Sequence, residues 1–413
     1  MPEALIENFS ARKIAEEYGT PTYIYSKTQI ENNIQTLQRV FPSEKHLICY
    51  AAKANSNIHL LRIFADAGLG VDTVSGGEIY LALKAGILPN RIIFSGVGKT
   101  HAEILFAIQS QIKAIHVESL FELKNILKLA LMLKASVSVG MRLNPSVDVK
   151  THPKIATGHS ESKFGIFAEE WIECQKLLLK YPQNIRLVGI SCHIGSQIFS
   201  LKPFERLAKF LQKNVLNLRK TGFILDYIDC GGGVGVPYNG EKSIELKSYA
   251  KIFKNLAQEL NLNLILEPGR LLVANAGTLL TSVIGVKATS NKQIVVLDAG
   301  MNDLLRPALY DAQHELTPVI ARAGKKYTYN FVGPVCESAD IFLRDYRFQK
   351  VQEKDLILME KVGAYGFSMT SHYNSRPKVC EVLVDKNKIQ CIRRRETYED
   401  LVLPLDSGRH LNL

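Results

Sequence analysis

Two adjoining folds are expected from this sequence: an α/β region forming a (β/α)8 barrel of the TIM type, then a mostly antiparallel β domain. Three observations predict them. Eight short apolar runs between residues 46 and 269 alternate with segments of helical period, the pattern of a parallel sheet joined by crossover helices. The turn after the first run reads AKANSN, without the glycine fingerprint that an open dinucleotide-binding sheet carries there. From residue 271 the alternation stops, and β-rich stretches follow one another across Gly, Pro and Asn turns.

In chain order, the run TPTYIYS (20–26) is short and β-branched or aromatic, and is expected to add a strand to the β domain. SKTQIENNIQTLQRVF follows with helical period, Ser26 serving as its N-cap. The barrel strands are expected at HLICYAA, GLGVDTV, RIIFSG, AIHVE, SVSVGMRLN, LVGISCHIG, YIDCGGG and NLILEPG. Between them, THAEILFAIQS and SLFELKNILKLALML both open with a capping box, Thr100/Glu103 and Ser119/Glu122. Beyond 271, the β stretches are TLLTSVIGVKAT, KQIVVLDAG, KKYTYNFVG, DLILMEKVGAYGFS and PKVCEVLVDKNKIQCIRRR, the last folding into a hairpin about Asp385–Lys388. The expected division is therefore residues 27–270 for the barrel and residues 1–26 with 271–413 for the β domain.

Composition narrows the function. The chain has 51 Lys and Arg against 40 Asp and Glu, a formal charge of +11. These charges are spread along the chain, and the densest run, Arg393-Arg394-Arg395, follows a hairpin strand. A nucleic-acid surface would need a clustered stripe with stacking aromatics, so no nucleic-acid partner is expected. Seven scattered cysteines form no CxxC, which favours reduced thiols and a cytoplasmic protein over a disulfide framework. No spacing suggests a metal site. The longest uncharged run, residues 271–286, is too short and too polar to span a bilayer. No membrane partner is expected.

In such barrels the chemistry lies where strands end. Here the ends carry Lys53, Asp72, Ser95, Glu118, Arg142 with Asn144, His193 with Ser196, the triplet Gly231–Gly233, and Glu267-Pro268-Gly269-Arg270. Lys53 stands out as a primary amine at the close of an apolar strand. It is either a snorkelling lysine or a nucleophile whose pKa is lowered by low-dielectric walls and cationic neighbours. The glycine triplet after the seventh strand is either a tight turn or a place where backbone N–H groups approach a phosphate, with Arg270 nearby favouring the latter. A nucleophilic lysine beside a phosphate cradle points to pyridoxal 5'-phosphate held as a Schiff base. Glu267 would then keep the pyridine nitrogen protonated, and His193 would stack on the ring or fill the core.

The stretches YGTPTYIYS, YAAKANSN, HIGSQI, CGGGVG, EPGR, CESAD and GAYGFSMTSHYNSRP, together with residues 142–166, resemble the diaminopimelate decarboxylases. These belong to the alanine-racemase-like, fold type III group of pyridoxal phosphate enzymes. The resemblance spans essentially the whole chain in order. It implies that Lys53 carries the cofactor, that His193 stacks on its ring, and that Ser196, Gly232, Gly233 and Glu267-Pro268-Gly269-Arg270 hold its phosphate and pyridine nitrogen. Tyr365 would touch both cofactor and substrate. Cys336 would be the general acid, Glu337 would bind the distal ammonium, and Arg270, Arg306 and Tyr310 would bind the distal carboxylate. In this family Cys336 and Glu337 reach the neighbouring subunit's site, so a homodimer with shared active sites is implied, acting in lysine biosynthesis.

The chemistry fits those residue types. A thiol has an ordinary pKa near 8.5, close enough to neutrality to deliver a proton. Guanidinium forks match a second carboxylate and a glutamate matches a second ammonium. Cys336 could instead be a buried hydrophobe, and RPALY (306–310) a plain turn with a surface arginine. Rival activities are a decarboxylase of ornithine, lysine, arginine or carboxynorspermidine, a racemase, a non-catalytic binding relative, and a cofactor-free Schiff-base aldolase.

Overall fold

Eight parallel strands close into a barrel in the order in which the chain supplies them: His46–Ala51, Gly70–Thr73, Ile92–Phe94, Ala114–Val117, Val137–Arg142, Ile185–Ser191, Tyr227–Asp229 and Asn263–Leu266. The last pairs with the first, Leu264 opposite His46, which removes both sheet edges. All eight expected strands are present. This computed structural model describes residues 3–42, 45–145, 163–289 and 292–405; most of the 142–166 stretch singled out in the sequence lies outside them. The chain divides into two units, Asn33–Pro237 with Glu241–Leu272, and Met1–Asn32 with Tyr238–Gly240 and Val273–Leu413.

The barrel interior follows from alternation along the strands. Cys49, Ile93, Ala114, Val188, Tyr227 and Ile265 pack together in it. Two glycines make room for its largest ring. A Cβ on Gly189 would lie 2.5 Å from the Tyr227 ring, and one on Gly140 would lie 2.4 Å from the His116 ring. Tyr227 and His116 can therefore meet inside the barrel, 2.9 Å from hydroxyl to Nε2.

Helix starts obey the sequence signals with one instructive difference. Ser26 Oγ accepts from the Gln29 N–H at 3.0 Å, capping the helix Lys27–Val40. Thr100 and Glu103 form the full reciprocal capping box of His101–Gln109. For Leu120–Leu133, Ser119 accepts from the Glu122 N–H, but the Glu122 carboxylate turns to the Glu118 N–H and to Lys99 Nζ, 2.7 Å away. Both members of that ion pair are almost wholly buried. A buried ammonium lacking its anion costs far more than half a cap contributes, so the pair wins.

The second unit is a nine-stranded sheet. Its main path runs Ile341–Phe348, Tyr327–Val332, Gln293–Leu297, Gly277–Ala288, Thr22–Ser26, Cys380–Asp385 and Lys388–Arg393. The early TYIYS segment sits between Gly277–Ala288 and Cys380–Asp385, as its composition predicts. The final hairpin pairs Asp385 with Lys388. Ile341–Phe348, IFLRDYRF, is a strand that the sequence reading missed. It lies at the sheet edge, where charged residues such as Arg344, Asp345 and Arg347 guard against strand addition and so blur the apolar pattern. Ala11, Ile14, Ile24, Leu280, Val319, Leu358, Val382 and Val384 form this unit's core.

Candidate active site

Lys53 lies in a single 3-10 turn, Ala52–Ala54, directly after the first barrel strand. Small neighbours bring this turn against the end of the eighth strand. The Ala51 N–H donates to the Pro268 carbonyl at 3.1 Å, and a Cβ on Gly269 would sit 3.1 Å from that of Ala51 and 3.2 Å from that of Ala54. Any larger residue at 269 would push the lysine turn away.

The Lys53 ammonium faces Asp72 Oδ2 at 3.8 Å, with Asp72 buried at the end of the second strand. An acid from the expected rim thus meets the amine directly. Burial raises the Asp72 carboxyl while Lys53 pulls it back down. Glu78, on the helix Gly76–Lys84, is pushed up to about 7, chiefly by burial and further by the charge of Asp72.

Beneath this rim lies a buried titratable cluster. His116 Nδ1 is 3.9 Å from both Asp229 Oδ2 and Glu267 Oε1. Burial, then the charges of Lys99 and Arg142, lowers the imidazole to about 3, so it stays neutral. Burial pushes the Asp229 carboxyl up to about 7, against the pull of the Gly231 N–H at 2.8 Å. Burial and then the neighbouring Asp229 and Asp72 raise Glu267 well above the usual carboxylate range. Asp229 and His116 were not singled out in the sequence. The available signal was alternation, since Asp229 shares an inward face with Tyr227, and His116 with Ala114.

The glycine triplet packs on three sides. The Gly232 N–H donates to His193 Nδ1 at 3.2 Å. A Cβ on Gly232 would meet the Glu267 carbonyl oxygen at 2.3 Å, and one on Gly233, whose φ is +99°, would meet the Gly195 carbonyl oxygen at 2.3 Å. Only glycine fits such approaches. His193 is held neutral, well below its ordinary value, by burial and then by the charges of Lys53 and Arg142. Arg270 donates to Ser196 Oγ at 3.2 Å. Glu118, expected at the same rim, is a brace: it accepts from Arg142 at 2.7 Å and from the N–H groups of Gly96 and Gly165.

This donor set fits pyridoxal phosphate. His116, Asp229 and Glu267 bring ligand atoms within 4.8 Å of one another, and burial raises both acids, so a cation beside them would favour their ionised form. A protonated pyridine nitrogen is such a cation. The glycine hollow, Arg270 and Ser196 offer side-chain-free space and donors for a phosphate.

In the second unit Arg306 opens the short helix Arg306–Tyr310 and is buried, which removes the reading of a surface arginine. Its guanidinium donates to His314 Nε2 at 2.9 Å and lies 4.6 Å from the Tyr238 ring centre. Tyr310 is partly buried. Cys336 and Glu337 are exposed in the loop between Tyr327–Val332 and Ile341–Phe348, so the thiol is not a core hydrophobe. The Cys336 N–H is held by Asn374 Oδ1 at 2.7 Å. Tyr365 adopts a left-handed backbone, φ +57°, a conformation that concentrates at functional positions. His372, without a role in the sequence, pairs with Glu396.

Residues 27–274 match the family model described as pyridoxal-dependent decarboxylase, pyridoxal binding domain. A diaminopimelate decarboxylase of Aquifex aeolicus is 41% identical over 403 residues, covering 97% of this chain and 95% of the relative. One from Neisseria meningitidis serogroup A is 44% identical, covering 94% and 95%. The crystal structure of the Helicobacter pylori diaminopimelate decarboxylase complexed with L-lysine superposes with a TM-score of 0.92 at 42% identity, covering 96% of this chain and all of that one. A lysine/ornithine decarboxylase of Vibrio vulnificus, at 21% identity and a TM-score of 0.79 over 91% and 97% of the two chains, shares the fold alone. With a full-length match at this identity and a lysine at the barrel rim above buried acids, the chain belongs to the pyridoxal-dependent decarboxylases, in the diaminopimelate decarboxylase family.

Proposed function

We propose that this chain decarboxylates meso-diaminopimelate to L-lysine, working as a homodimer in the cytoplasm. The observation that carries the choice of substrate is the full-length match to diaminopimelate decarboxylases, with a buried arginine, Arg306, in the second unit. The planar fork of a guanidinium matches the geometry of a second carboxylate, which diaminopimelate carries and ornithine or lysine lacks.

Bound pyridoxal phosphate supplies the electron sink that accepts the pair left behind when carbon dioxide departs. Lys53, whose ammonium lies 3.8 Å from Asp72 Oδ2, would provide the amine that anchors it. Glu267, whose carboxyl is raised by burial, would be favoured in its ionised form by a cation beside it and would in turn keep a pyridine nitrogen protonated. His193, neutral and held by the Gly232 N–H, offers a flat uncharged ring face. Arg270, Ser196, Gly232, Gly233, Pro268 and Gly269 would hold the phosphate end. Cys336 would return a proton to the substrate carbon, and Tyr365 would touch both cofactor and substrate. At the distal end Arg306, Tyr310 and Arg270 bind carboxylate, and Glu337 binds ammonium.

The exposure of Cys336 and Glu337 supports a site shared between subunits. All seven thiols are free, which supports a reducing compartment. Among the described residues no helix is long and apolar enough to cross a membrane.

Carbon dioxide release from a panel of meso-diaminopimelate, lysine, ornithine and arginine tests the reading, with Arg306→Ala and Glu337→Ala beside the wild type. Diaminopimelate should be preferred, and each variant should lose roughly a hundredfold in kcat/KM while binding cofactor normally. Preference for a substrate lacking the distal carboxylate would overturn it.

A further inference from the structure

We infer that His314 is a positioning residue for substrate selection: as a neutral imidazole with its proton on Nδ1, it fixes the Arg306 guanidinium for a distal carboxylate. The inference rests on the reading of Arg306 given above and adds the group that orients it.

The argument starts from strand pairing. Leu316–Pro318 pairs antiparallel with Leu356–Met359, Leu316 opposite Met359. The ladder continues past the strand ends, where the Glu360 N–H donates to the Glu315 carbonyl at 2.9 Å. This brings the Glu360 carbonyl beside His314, and its oxygen lies 2.9 Å from His314 Nδ1. On the other side of the ring, Nε2 is 2.9 Å from Arg306 Nη1. The imidazole is buried, 3% exposed.

The two partners settle the ring's state. A guanidinium can only donate and a carbonyl can only accept. The one imidazole form that satisfies both carries its proton on Nδ1 and a lone pair on Nε2. A doubly protonated ring would aim an N–H at the guanidinium. His314 is therefore an obligate acceptor, and it pins one arm of the arginine fork to the backbone of the neighbouring strand.

Tyr238 completes the clamp. Its ring lies 4.6 Å from the guanidinium carbon and meets the His314 ring edge-on at 5.3 Å. A guanidinium on an aromatic face is held in one plane. Tyr238 comes from the segment Tyr238–Gly240, which clusters with the β unit although it follows the seventh barrel strand in the sequence. One arm and the plane of Arg306 are thus both fixed. A carboxylate recognised in bidentate fashion needs a fork whose plane is set beforehand.

The test uses the cofactor-loaded enzyme and compares wild type with His314→Leu, His314→Gln and Tyr238→Leu. Steady-state kinetics on meso-diaminopimelate are read together with the visible absorbance of bound cofactor and Tm. His314→Leu, without an acceptor, should raise KM roughly ten- to hundredfold while kcat and the cofactor spectrum change little. His314→Gln, whose amide oxygen can replace Nε2 as acceptor, should recover most of that loss. Tyr238→Leu should raise KM by a smaller factor. An unchanged KM in His314→Leu would overturn the assignment, as would a glutamine variant no better than leucine. If His314→Leu fails to fold, glutamine and Tyr238→Leu decide: a wild-type KM in Tyr238→Leu together with a collapsed kcat in His314→Gln rejects the clamp. Wild-type enzyme that releases no carbon dioxide from diaminopimelate would instead overturn the functional reading itself.

Discussion

The barrel interior and the arginine pocket of the β unit both bury polar groups, but they handle protons in opposite ways. Around His116, Asp229 and Glu267 the protein crowds acids into a buried space, which raises both carboxyls and makes their charge state responsive to a cation beside them. Around Arg306 the charge is permanent, and the ring beside it has its state dictated by a carbonyl and a guanidinium. The first arrangement suits a place that must receive and tune a cationic ring. The second suits a place that must discriminate between substrates without changing state. Burial alone therefore does not define a site; the balance of donors and acceptors around the buried group does.

The largest effect that would break this contrast is loss of the rim amine. Lys53→Arg keeps a cation opposite Asp72 but cannot form the bond to the cofactor. Turnover should fall by roughly 10⁴-fold or more, and borohydride should no longer fix the cofactor to the chain. With the site shared between two subunits as proposed, mixing Lys53→Arg with Cys336→Ala should restore about a quarter of wild-type turnover, because half the dimers would be mixed and each would have one intact site. No recovery on mixing would argue that each chain builds its own site.

Gly232→Ala tests the packing beneath the cofactor. The new Cβ would fall 2.3 Å from the Glu267 carbonyl oxygen, so backbone must shift. The expected cost is roughly 1–3 kcal/mol of stability, read by denaturant unfolding, with weakened cofactor retention. Gly98→Ala, where a Cβ meets nothing within 4 Å, is the control and should behave as wild type.

The smallest effect sharpens the electrostatic half of the comparison. Asp229 is raised from 3.8 to about 7 in the folded chain, so the folded state holds a proton that the unfolded chain has released. Its contribution to stability therefore falls as pH rises from 3.8 to about 7. His116 acts in the opposite sense, since its folded value of about 3 lies below 6.5, and stability rises with pH across that window. Asp229→Asn removes the falling contribution. The Tm of the cofactor-free variant, relative to wild type, should climb by a few degrees from about pH 4 to about pH 7. A flat difference would mean that the acid is already ionised in the fold.

Much of this was legible beforehand because it is written in local pattern. Strand alternation, capping residues and the order of polar strand ends gave the barrel, its rim and Lys53. The same local logic failed at Ile341–Phe348, where an edge strand's charges masked its period. It also failed at Asp229, His116, Tyr238 and His314. Alternation can place Asp229 and His116 on an inward face but names no partner, and Glu360 and Tyr238, which meet His314, come from distant parts of the chain.

By itself, the sequence determined the two fold types, the rim lysine, the glycine-rich turn and the residues that resemble a decarboxylase site, since each depends on neighbours a few positions apart. Only the tertiary structure decided that Lys53 faces an acid, that burial raises the Glu267 carboxyl, and that His314 is an acceptor. Charge state and hydrogen-bond direction depend on how much water is excluded and on which distant groups converge, and closing the barrel and pairing the sheet bring that about.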